Sequence, residues 1–334
     1  MISTEKVAIL GSGSWGTALG TLLAHTFQQV TMIGLETDVA EDINTRHRNE
    51  RYLPGLSLQN NIQASTELTS TLDASLILFV IPTSGMRKAV EALAAHPVPQ
   101  DTVLMSCSKG IEHDTGTRMS EIIREHFPNN PLAVLSGPNH AEEVSLALTS
   151  CAVIGSKDEQ LSADLQSIFS TPFFRSYTSD DMAGMELGGA IKNVFALAAG
   201  IASGLKLGDN AIAALVTRGL AEMTRLGTAL GGQAETFMGL SGIGDLMVTC
   251  YSSHSRNNRV GKALGEGQQL DDIIANLGMV AEGVPNTKSI YRAARNAGVR
   301  TPLIDAVYSI LYENRSASSV LKELLSLDMR KETD

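Results

Sequence analysis

Short apolar runs alternate with helical patterns along the first half of the chain, from Lys6 to about Tyr177. This alternation is typical of a parallel sheet whose strands are connected and covered by helices. The runs are continuously apolar, which predicts strands that are buried on both faces of the sheet. The predicted strands are Val7–Leu10, Val30–Ile33, Leu76–Ile81, Val103–Ser106, Ala133–Ser136 and Cys151–Ile154.

The pattern changes after about Thr178–Asp181, where long helical stretches rich in Ala, Leu and Gly replace the short apolar runs. Glycine-containing segments at Gly239–Gly244 and Gly265–Gly267 predict breaks between helices, because glycine adopts backbone conformations that other residues avoid. We therefore predict an α/β fold class, with a doubly wound Rossmann-type sheet in residues 1–180 followed by an all-α domain in residues 181–334.

Composition narrows the classes of partner. The chain has 334 residues and is 43% hydrophobic, which fits a large core divided between two domains. Its net charge of -10 argues against nonspecific binding to nucleic acid or to anionic membranes. The apolar runs are shorter than the roughly 20 residues that span a bilayer, so we expect no membrane insertion. An anionic substrate would need a local group of cationic side chains and N–H donors.

Cysteine usage and the N-terminus bear on the compartment. Cys107, Cys151 and Cys250 are far apart and form no CxxC pair, which argues against a disulfide framework or a zinc site. No secretory signal is visible before the first predicted strand. We therefore expect a soluble protein of the reducing cytoplasm.

A glycine motif follows the first predicted strand and begins a helical pattern. Gly11 permits a tight turn, Gly13 lets the backbone approach a pyrophosphate, and Gly16 allows close packing of helix on strand. Ser14 and Trp15 lie at the start of the helix, whose N–H groups would face the anion. We predict that residues 1–180 bind a dinucleotide; the alternatives are an ordinary glycine-rich turn and a purely packing role for Trp15.

The end of the second predicted strand decides between NAD and NADP. Glu36 lies where an acid can accept hydrogen bonds from the ribose hydroxyls, and no Arg or Lys occurs from Val30 to Asn44. This favours NAD over NADP. The alternative is that Glu36 is a solvated acid at the start of a helix.

Polar residues follow two later strands, in Ser106–Gly110 and Ser136–His140. Lys109, Gly137 and Asn139 are therefore expected beyond the carboxyl edge of the sheet, where open α/β folds bind ligands. The alternative for Lys109 is a surface lysine in a turn.

A single lysine interrupts the apolar helix predicted over Glu186–Gly200. Lys192, beside Asn193, is costly to bury without partners, and desolvation would bring its pKa toward the range useful for general acid–base catalysis. The alternative is that its side chain reaches solvent.

Two further segments offer a carboxylate and a phosphate clamp. Asp245 follows a glycine turn, and Ser255, Arg256 and Asn257 begin a cluster of amide and guanidinium donors that ends at Arg259. A solvated basic turn is the alternative for the cluster. Neither the spacing of the seven histidines nor any GxSxG sequence indicates a metal site or a hydrolase, so we predict no metal.

Several motifs in register resemble one family over about residues 6–325, namely the bacterial NAD(P)-dependent glycerol-3-phosphate dehydrogenases. The matching segments are Gly11–Ala18, Ser108–Gly110, Leu135–Pro138, Leu187–Val194, Thr217–Met223, Gly242–Leu246, Ser255–Asn257 and Glu282–Gly283.

The resemblance implies NAD(P)H-dependent, reversible reduction of dihydroxyacetone phosphate to sn-glycerol 3-phosphate for phospholipid synthesis, by a cytoplasmic homodimer. It also implies roles for single residues, which we list by role. Catalysis falls to Lys192, Lys109, Asp245 and Asn193, with Thr249 nearby; substrate binding to Lys109, Gly137, Asn139, Lys192, Asp245, Ser255, Arg256 and Asn257; and cofactor binding to Ser14, Trp15, Lys109, Ala141, Arg256, Val280 and Glu282. To these cofactor residues the motif and strand arguments above add Gly11, Gly13, Gly16 and Glu36.

Two departures from the family pattern matter. Relatives often have Arg or His where this chain has Gly34–Glu36, and position 139 is frequently Thr or Ser. The rival interpretations are a β-hydroxyacid or 3-hydroxyacyl-CoA dehydrogenase, and a redox-sensing protein that binds NAD(H) without turnover.

Overall fold

An eight-stranded sheet forms the N-terminal half of the chain. The structure is a computed structural model that describes residues 2–252, 254–277, 281–326, 328 and 331. The strands are β1 (Lys6–Leu10), β2 (Gln29–Ile33), β3 (Ile62–Ser65), β4 (Leu76–Phe79), β5 (Val103–Ser106), β6 (Leu132–Ser136), β7 (Ser150–Gly155) and β8 (Phe174–Ser179).

The strand order is β3-β2-β1-β4-β5-β6-β7-β8. The first six strands are parallel, in the order typical of doubly wound dinucleotide-binding sheets. β7 runs antiparallel to β6, and β8 is parallel to β7. The predicted fold class is confirmed, but the sheet is mixed. The connection between β6 and β7 contains only the five-residue helix Ala141–Ser145, and antiparallel neighbours need no long crossover.

Sequence patterns missed the strands at the two edges of the sheet. β3 and β8 contain polar residues and are only partly buried, so they lack the continuous apolar run that revealed the inner strands. The other six predicted strands are confirmed to within two residues at each end.

Helices cover both faces of the sheet. They are α1 (Ser14–Leu23), α2 (Thr37–Arg46), α3 (Thr83–Ala94), α4 (Met119–His126), α5 (Ala141–Ser145) and α6 (Glu159–Phe169), with a 3₁₀ turn at Leu68–Thr71. Along β1, Val7 and Ile9 pack into the core on the α1 face, whereas Ala8 and Leu10 pack on the α3 and α4 face. This burial of successive residues explains why the inner strands are continuously apolar.

The part of the chain described after residue 181 is helical, as predicted. Its helices are α7 (Met182–Gly204), α8 (Asp209–Ala229), α9 (Ala234–Phe237), α10 (Asp245–Tyr251), α11 (Arg256–Gly265), α12 (Leu270–Leu277), α13 (Gly283–Asn296), α14 (Pro302–Tyr312) and α15 (Ala317–Leu325). The chain passes from β8 to α7 at Asp180–Asp181, beside the predicted boundary between residues 1–180 and 181–334, and that division stays a prediction.

The two predicted helix breaks differ. α11 ends at Gly265, and Gly267 has a φ of 91°, which glycine tolerates best. Gly239–Gly244 separates α9 from α10 but is not an open loop, because Leu240–Gly244 forms a π-helical turn that leads directly into Asp245. Such turns occur frequently at functional sites.

α7 is the central helix of the C-terminal half. By length and composition its 23 residues could span a membrane, since the helix extends well beyond the continuously apolar run Val194–Ala202. However, 89% of its most apolar window is buried inside the protein, as in a core helix. α11 packs closely on it: a Cβ at Gly200 would lie 2.1 Å from the carbonyl oxygen of Asn258.

Candidate active site

The glycine turn after β1 has the geometry that binds a pyrophosphate. Gly11 has a φ of 120°, and a Cβ there would lie 2.2 Å from the carbonyl oxygen of Val80. A Cβ at Gly16 would lie 1.9 Å from the carbonyl oxygen of Gly11, whereas one at Gly13 would meet no protein atom within 4 Å. In the part of the chain that the structure describes, no side chain caps α1, so its first N–H groups remain available to an anion. These residues fit a dinucleotide.

Ser14 and Trp15, at the start of α1, have different surroundings. The Ser14 hydroxyl donates to the carbonyl oxygen of Tyr52 at 2.8 Å. The Trp15 ring packs against the core on the α1 face, and its buried Nε1 has no hydrogen-bond partner among the described residues. Trp15 thus combines the packing role with an N–H group that is available to a ligand.

Glu36 lies at the end of β2, as expected, and it is not simply solvated. Its carboxylate accepts a hydrogen bond from the Tyr52 hydroxyl at 2.7 Å, and burial together with this bond raises the pKa of Tyr52. The guanidinium of Arg51 lies 5.6 Å from the centroid of the Tyr52 ring and pairs with Asp38 at 3.5 Å. A basic group therefore reaches this edge from the loop after α2, outside the segment from Val30 to Asn44 that contains no Arg or Lys.

Three segments that are distant in the chain meet at one carboxylate. The Lys192 ammonium, on α7, donates to Oδ1 of Asp245 and to the Thr249 hydroxyl at 2.7 Å, both on α10. The Lys109 ammonium, after β5, donates to Oδ2 of Asp245 at 2.9 Å and to the carbonyl oxygen of Gly137 at 2.7 Å. We call Lys192, Asp245 and Lys109 the lysine–aspartate cluster. It lies between the carboxyl edge of the sheet and the helices.

Burial controls the protonation of this cluster. Lys192 is 5% exposed and Asp245 1%, so the Lys192 side chain does not reach solvent, which was the alternative for this residue. Lys109 is half-buried and paired with Asp245, so it is not a free surface lysine in a turn. Burial lowers the pKa of Lys192 to about 8, against the opposing effect of Asp245. Burial alone would raise the pKa of Asp245, but the two ammonium groups hold it below its usual range.

The amides of Asn193 and Asn257 connect three helices. Nδ2 of Asn257, on α11, donates to Oδ1 of Asn193 at 3.0 Å, and Oδ1 of Asn257 accepts from the backbone N–H of Gly283, at the start of α13, at 2.9 Å. Nδ2 of Asn193 donates to the carbonyl oxygen of Gly189 at 3.3 Å. Both side chains are thus buried and partnered within the helical region.

The predicted phosphate cluster lies at the N-terminus of α11. The Ser255 hydroxyl caps this helix by accepting from the N–H of Asn258 at 3.2 Å. Arg256 is exposed and has no hydrogen bond or ion pair with any residue within the described ranges. A guanidinium beside a helix N-terminus suits an anion.

The remaining predicted residues line the same region or lie outside the described residues. Asn139 donates from Nδ2 to the carbonyl oxygen of Cys151 at 3.0 Å, and its Oδ1 is buried without a partner in the described part of the chain. Ala141 begins α5. The Glu282 carboxylate accepts from the N–H and the hydroxyl of Thr83, at the start of α3. Val280 lies outside the described residues.

Residues 6–162 match the family described as NAD-dependent glycerol-3-phosphate dehydrogenase N-terminus, and residues 181–322 match the corresponding C-terminus. Glycerol-3-phosphate dehydrogenase [NAD(P)+] of Enterococcus faecalis is 43% identical, with 99% of this chain and 98% of the relative covered; that of Bacillus licheniformis is 44% identical, with 96% and 94% covered. The crystal structure of glycerol-3-phosphate dehydrogenase from Coxiella burnetii is 37% identical, with a TM-score of 0.93 and coverage of 97% and 99%. The chain belongs to the NAD-dependent glycerol-3-phosphate dehydrogenase family.

Membership of the NAD-dependent glycerol-3-phosphate dehydrogenase family confirms the resemblance inferred from the motifs. The chain is therefore an oxidoreductase that uses NAD(P). The same matches favour this family over the rival β-hydroxyacid and 3-hydroxyacyl-CoA dehydrogenases.

In this glycerol-3-phosphate dehydrogenase family member, His140 lies near the lysine–aspartate cluster, although it was not among the predicted site residues. Burial lowers its pKa, and the neighbouring ammonium groups of Lys192 and Lys109 lower it further. Its ring centroid lies 5.8 Å from that of His254, just before α11. The position of His140 directly after the polar segment Ser136–Asn139 is the sequence signal that indicates it.

Proposed function

We propose that this chain catalyses reversible hydride transfer between a nicotinamide dinucleotide and dihydroxyacetone phosphate, giving sn-glycerol 3-phosphate for glycerophospholipid synthesis. The observation that supports this most directly is the lysine–aspartate cluster, which lies at the same carboxyl edge of the sheet as the glycine turn. It combines an acid–base group with a dinucleotide site at one sheet edge, which suits reduction of a ketone.

Lys192 acts as the acid–base residue. When bound, the nicotinamide supplies or accepts the hydride at C2 of the substrate. As negative charge grows on the carbonyl oxygen, the Lys192 ammonium stabilises that charge and donates a proton to it. In the oxidative direction, neutral Lys192 removes the proton of the alcohol. A pKa of about 8 makes both forms accessible near neutral pH.

The other members of the cluster prepare Lys192 for this step. Asp245 orients the Lys192 and Lys109 ammonium groups through its two oxygens, and Thr249 accepts a further hydrogen bond from Lys192. Lys109 adds positive charge beside the substrate and the nicotinamide. Asn193 follows Lys192 on α7, and its bond with Asn257 fixes that turn against α11.

Arg256 anchors the substrate phosphate, with Ser255, Asn257, Gly137 and Asn139 around the glycerol moiety. The exposed guanidinium of Arg256 at the N-terminus of α11 supports this role. Binding of the non-reacting phosphate then holds the ketone in line with the nicotinamide.

Gly11, Gly13, Ser14, Trp15 and Gly16 hold the pyrophosphate region of the cofactor. Further cofactor contacts are assigned to Lys109, Ala141, Arg256, Val280 and Glu282. We propose a preference for NAD, because the Glu36 carboxylate can accept from a ribose hydroxyl and would repel a 2′-phosphate. Arg51 is the group that opposes this preference.

We further propose that the enzyme works as a homodimer in the cytoplasm, as the family resemblance implies. Met247 and Tyr251 lie one turn apart on α10 and are both about half exposed, as apolar side chains of subunit interfaces are in the free chain. Light scattering after size-exclusion chromatography tests the assembly: a mass of one chain contradicts it.

Oxidation of NADH and NADPH, measured side by side with dihydroxyacetone phosphate, tests the function. We expect turnover with both cofactors and a higher kcat/KM with NADH. Cofactor binding without turnover would indicate the redox-sensing alternative. A preference for NADPH that Arg51→Ala abolishes would assign the 2′-phosphate to Arg51 and overturn the NAD preference.

A further inference from the structure

A buried ion pair outside the lysine–aspartate cluster also joins the sheet region to α7. Glu186 lies on α7 ahead of Lys192 and is 3% exposed. Its Oε2 accepts from the Arg118 guanidinium at 2.7 Å and from the Ser120 hydroxyl at 2.6 Å. Its Oε1 accepts from the backbone N–H of Ser120 at 2.8 Å. The carboxylate of α7 therefore binds the N-terminus of α4.

Arg118 in turn supports the turn that contains Lys109. It precedes α4 and forms an antiparallel bridge with Ile111, which follows Lys109 closely in the chain. The adjacent N–H of Glu112 donates to the carbonyl oxygen of Thr117 at 2.9 Å. The loop from Lys109 to Arg118 is thus closed on itself, and Glu186 attaches its far end to α7.

Among the described residues, two chains of hydrogen-bonded charges consequently join α7 to the Lys109 loop. One runs through Asp245, which takes part in the proposed chemistry. The other runs through Glu186 and Arg118, which lie outside it. Catalytic groups must be held within a fraction of an ångström of their working geometry, and partners behind them provide that restraint. A buried ion pair is weak evidence for stability, since apolar replacements often stabilise as well.

We infer that Glu186 is a positioning residue, which sets the separation of Lys192 and Lys109 by holding α7 against Arg118 and Ser120. This inference rests on the function proposed above for the two lysines. The hydrogen bonds of Glu186 with Arg118 and Ser120 should affect kcat rather than KM. They hold the helix that contains the proton donor Lys192, and none of them is made to a residue of the phosphate cluster or the glycine turn.

Replacement of Glu186 by Gln tests this role. Glu186→Gln removes the charge paired with Arg118 and places an amide N–H group against the Ser120 donors. We expect kcat to fall about tenfold while KM for dihydroxyacetone phosphate changes less than about twofold. A looser contact between α4 and α7 also admits water to Lys192 and weakens the desolvation that lowers its pKa. We therefore expect the basic limb of the kcat profile for reduction to move to higher pH.

The pH limb separates positioning from simple loss of folded enzyme. The charged or titratable groups that act on Lys192 are Asp245, Lys109, Cys250 and His140, and Glu186→Gln changes none of them directly. A lower fraction of folded protein reduces the rate at every pH and leaves the limb in place. An unchanged kcat, or an unmoved limb, overturns the inference.

Glu121→Gln is the matched control. Glu121 also pairs with Arg118, at 2.7 Å, but it is exposed and has no hydrogen bond to α7 in the described part of the chain. We expect its kcat and pH limb to remain those of the parent enzyme. An effect of Glu121→Gln equal to that of Glu186→Gln assigns the loss to Arg118 alone and overturns the role of Glu186.

Ser120→Ala decides the question if Glu186→Gln does not fold. It removes one donor to Glu186 and keeps the ion pair, so we expect a fall in kcat of about threefold with the same direction of limb shift; no shift overturns the inference. Lys192→Ala separates the two proposals. Near-normal turnover of Lys192→Ala contradicts the function proposed for Lys192, whereas a loss of at least about a hundredfold in Lys192→Ala beside a normal Glu186→Gln contradicts only the positioning role.

Discussion

The glycine turn and the lysine–aspartate cluster lie at the same edge of the sheet, but the turn consists of backbone groups and the cluster of charged side chains. The turn uses consecutive backbone groups at the end of β1, and its conformation depends on the absence of side chains at Gly11 and Gly16. The cluster uses three side-chain charges, two buried ones on α7 and α10 and a half-buried one in the loop after β5. Substitutions that add a side chain should therefore disturb the glycine turn, and substitutions that remove a charge should disturb the lysine–aspartate cluster.

Removal of the Lys192 ammonium should have the largest effect. We expect Lys192→Ala to lower kcat at least about a hundredfold, because the proton donor is lost, while NADH still binds at the glycine turn. Steady-state kinetics and fluorescence titration with NADH measure the two effects separately. Lys262→Ala, which removes an exposed lysine of α11, is the control. Near-normal turnover of Lys192→Ala removes this residue from the mechanism.

Titration of Lys192 gives the next largest effect. Its pKa is lowered from 10.5 to about 8, so the ammonium is present below that pH and is lost above it. Reduction needs this proton, so kcat for reduction should fall about tenfold per pH unit well above 8, and oxidation should weaken below it. The residual activity of Lys192→Ala should lack this limb. A limb near the ordinary lysine pKa argues that the working site is not desolvated.

Arg256→Ala should have a smaller and different effect. Loss of a charge-assisted phosphate contact costs about 1.5–3 kcal/mol, so we expect KM for dihydroxyacetone phosphate to rise at least about tenfold with little change in kcat. Arg259→Ala, also exposed on α11, serves as the comparison. An unchanged KM in the Arg256 variant places the phosphate elsewhere.

Added methyl groups at the glycine turn should give the smallest functional effect and sharpen the contrast. A Cβ at Gly13 meets no protein atom, so Gly13→Ala should weaken NADH binding several-fold and change stability by less than about 1 kcal/mol. Gly11→Ala should instead destabilise the fold, because of its φ of 120° and its contact with Val80. Thermal unfolding and NADH titration separate these outcomes. Equal NADH affinity in Gly13→Ala and the parent enzyme argues against backbone contact with the pyrophosphate.

Features that depend on neighbouring residues in the chain could be predicted from the sequence, whereas contacts between distant segments could not. The inner strands and the helical second half were predicted because burial leaves a local apolar pattern. β3 and β8 were missed because edge strands need no such pattern. Arg51 was missed near Glu36 because it returns from a loop after α2. Roles of single site residues were implied by the family motifs, and their test is the set of variants above.

The sequence by itself determined the glycine turn, since Gly11, Gly13 and Gly16 act through local backbone conformation. It also determined which half of the chain forms the sheet, because the period of apolar residues is a local property. Only the tertiary structure decided that Asp245 joins Lys192 to Lys109 and that Glu186 joins α7 to Arg118. These pairings depend on which buried charges meet after packing, and desolvation, which lowers the pKa of Lys192, exists only once the helices enclose it.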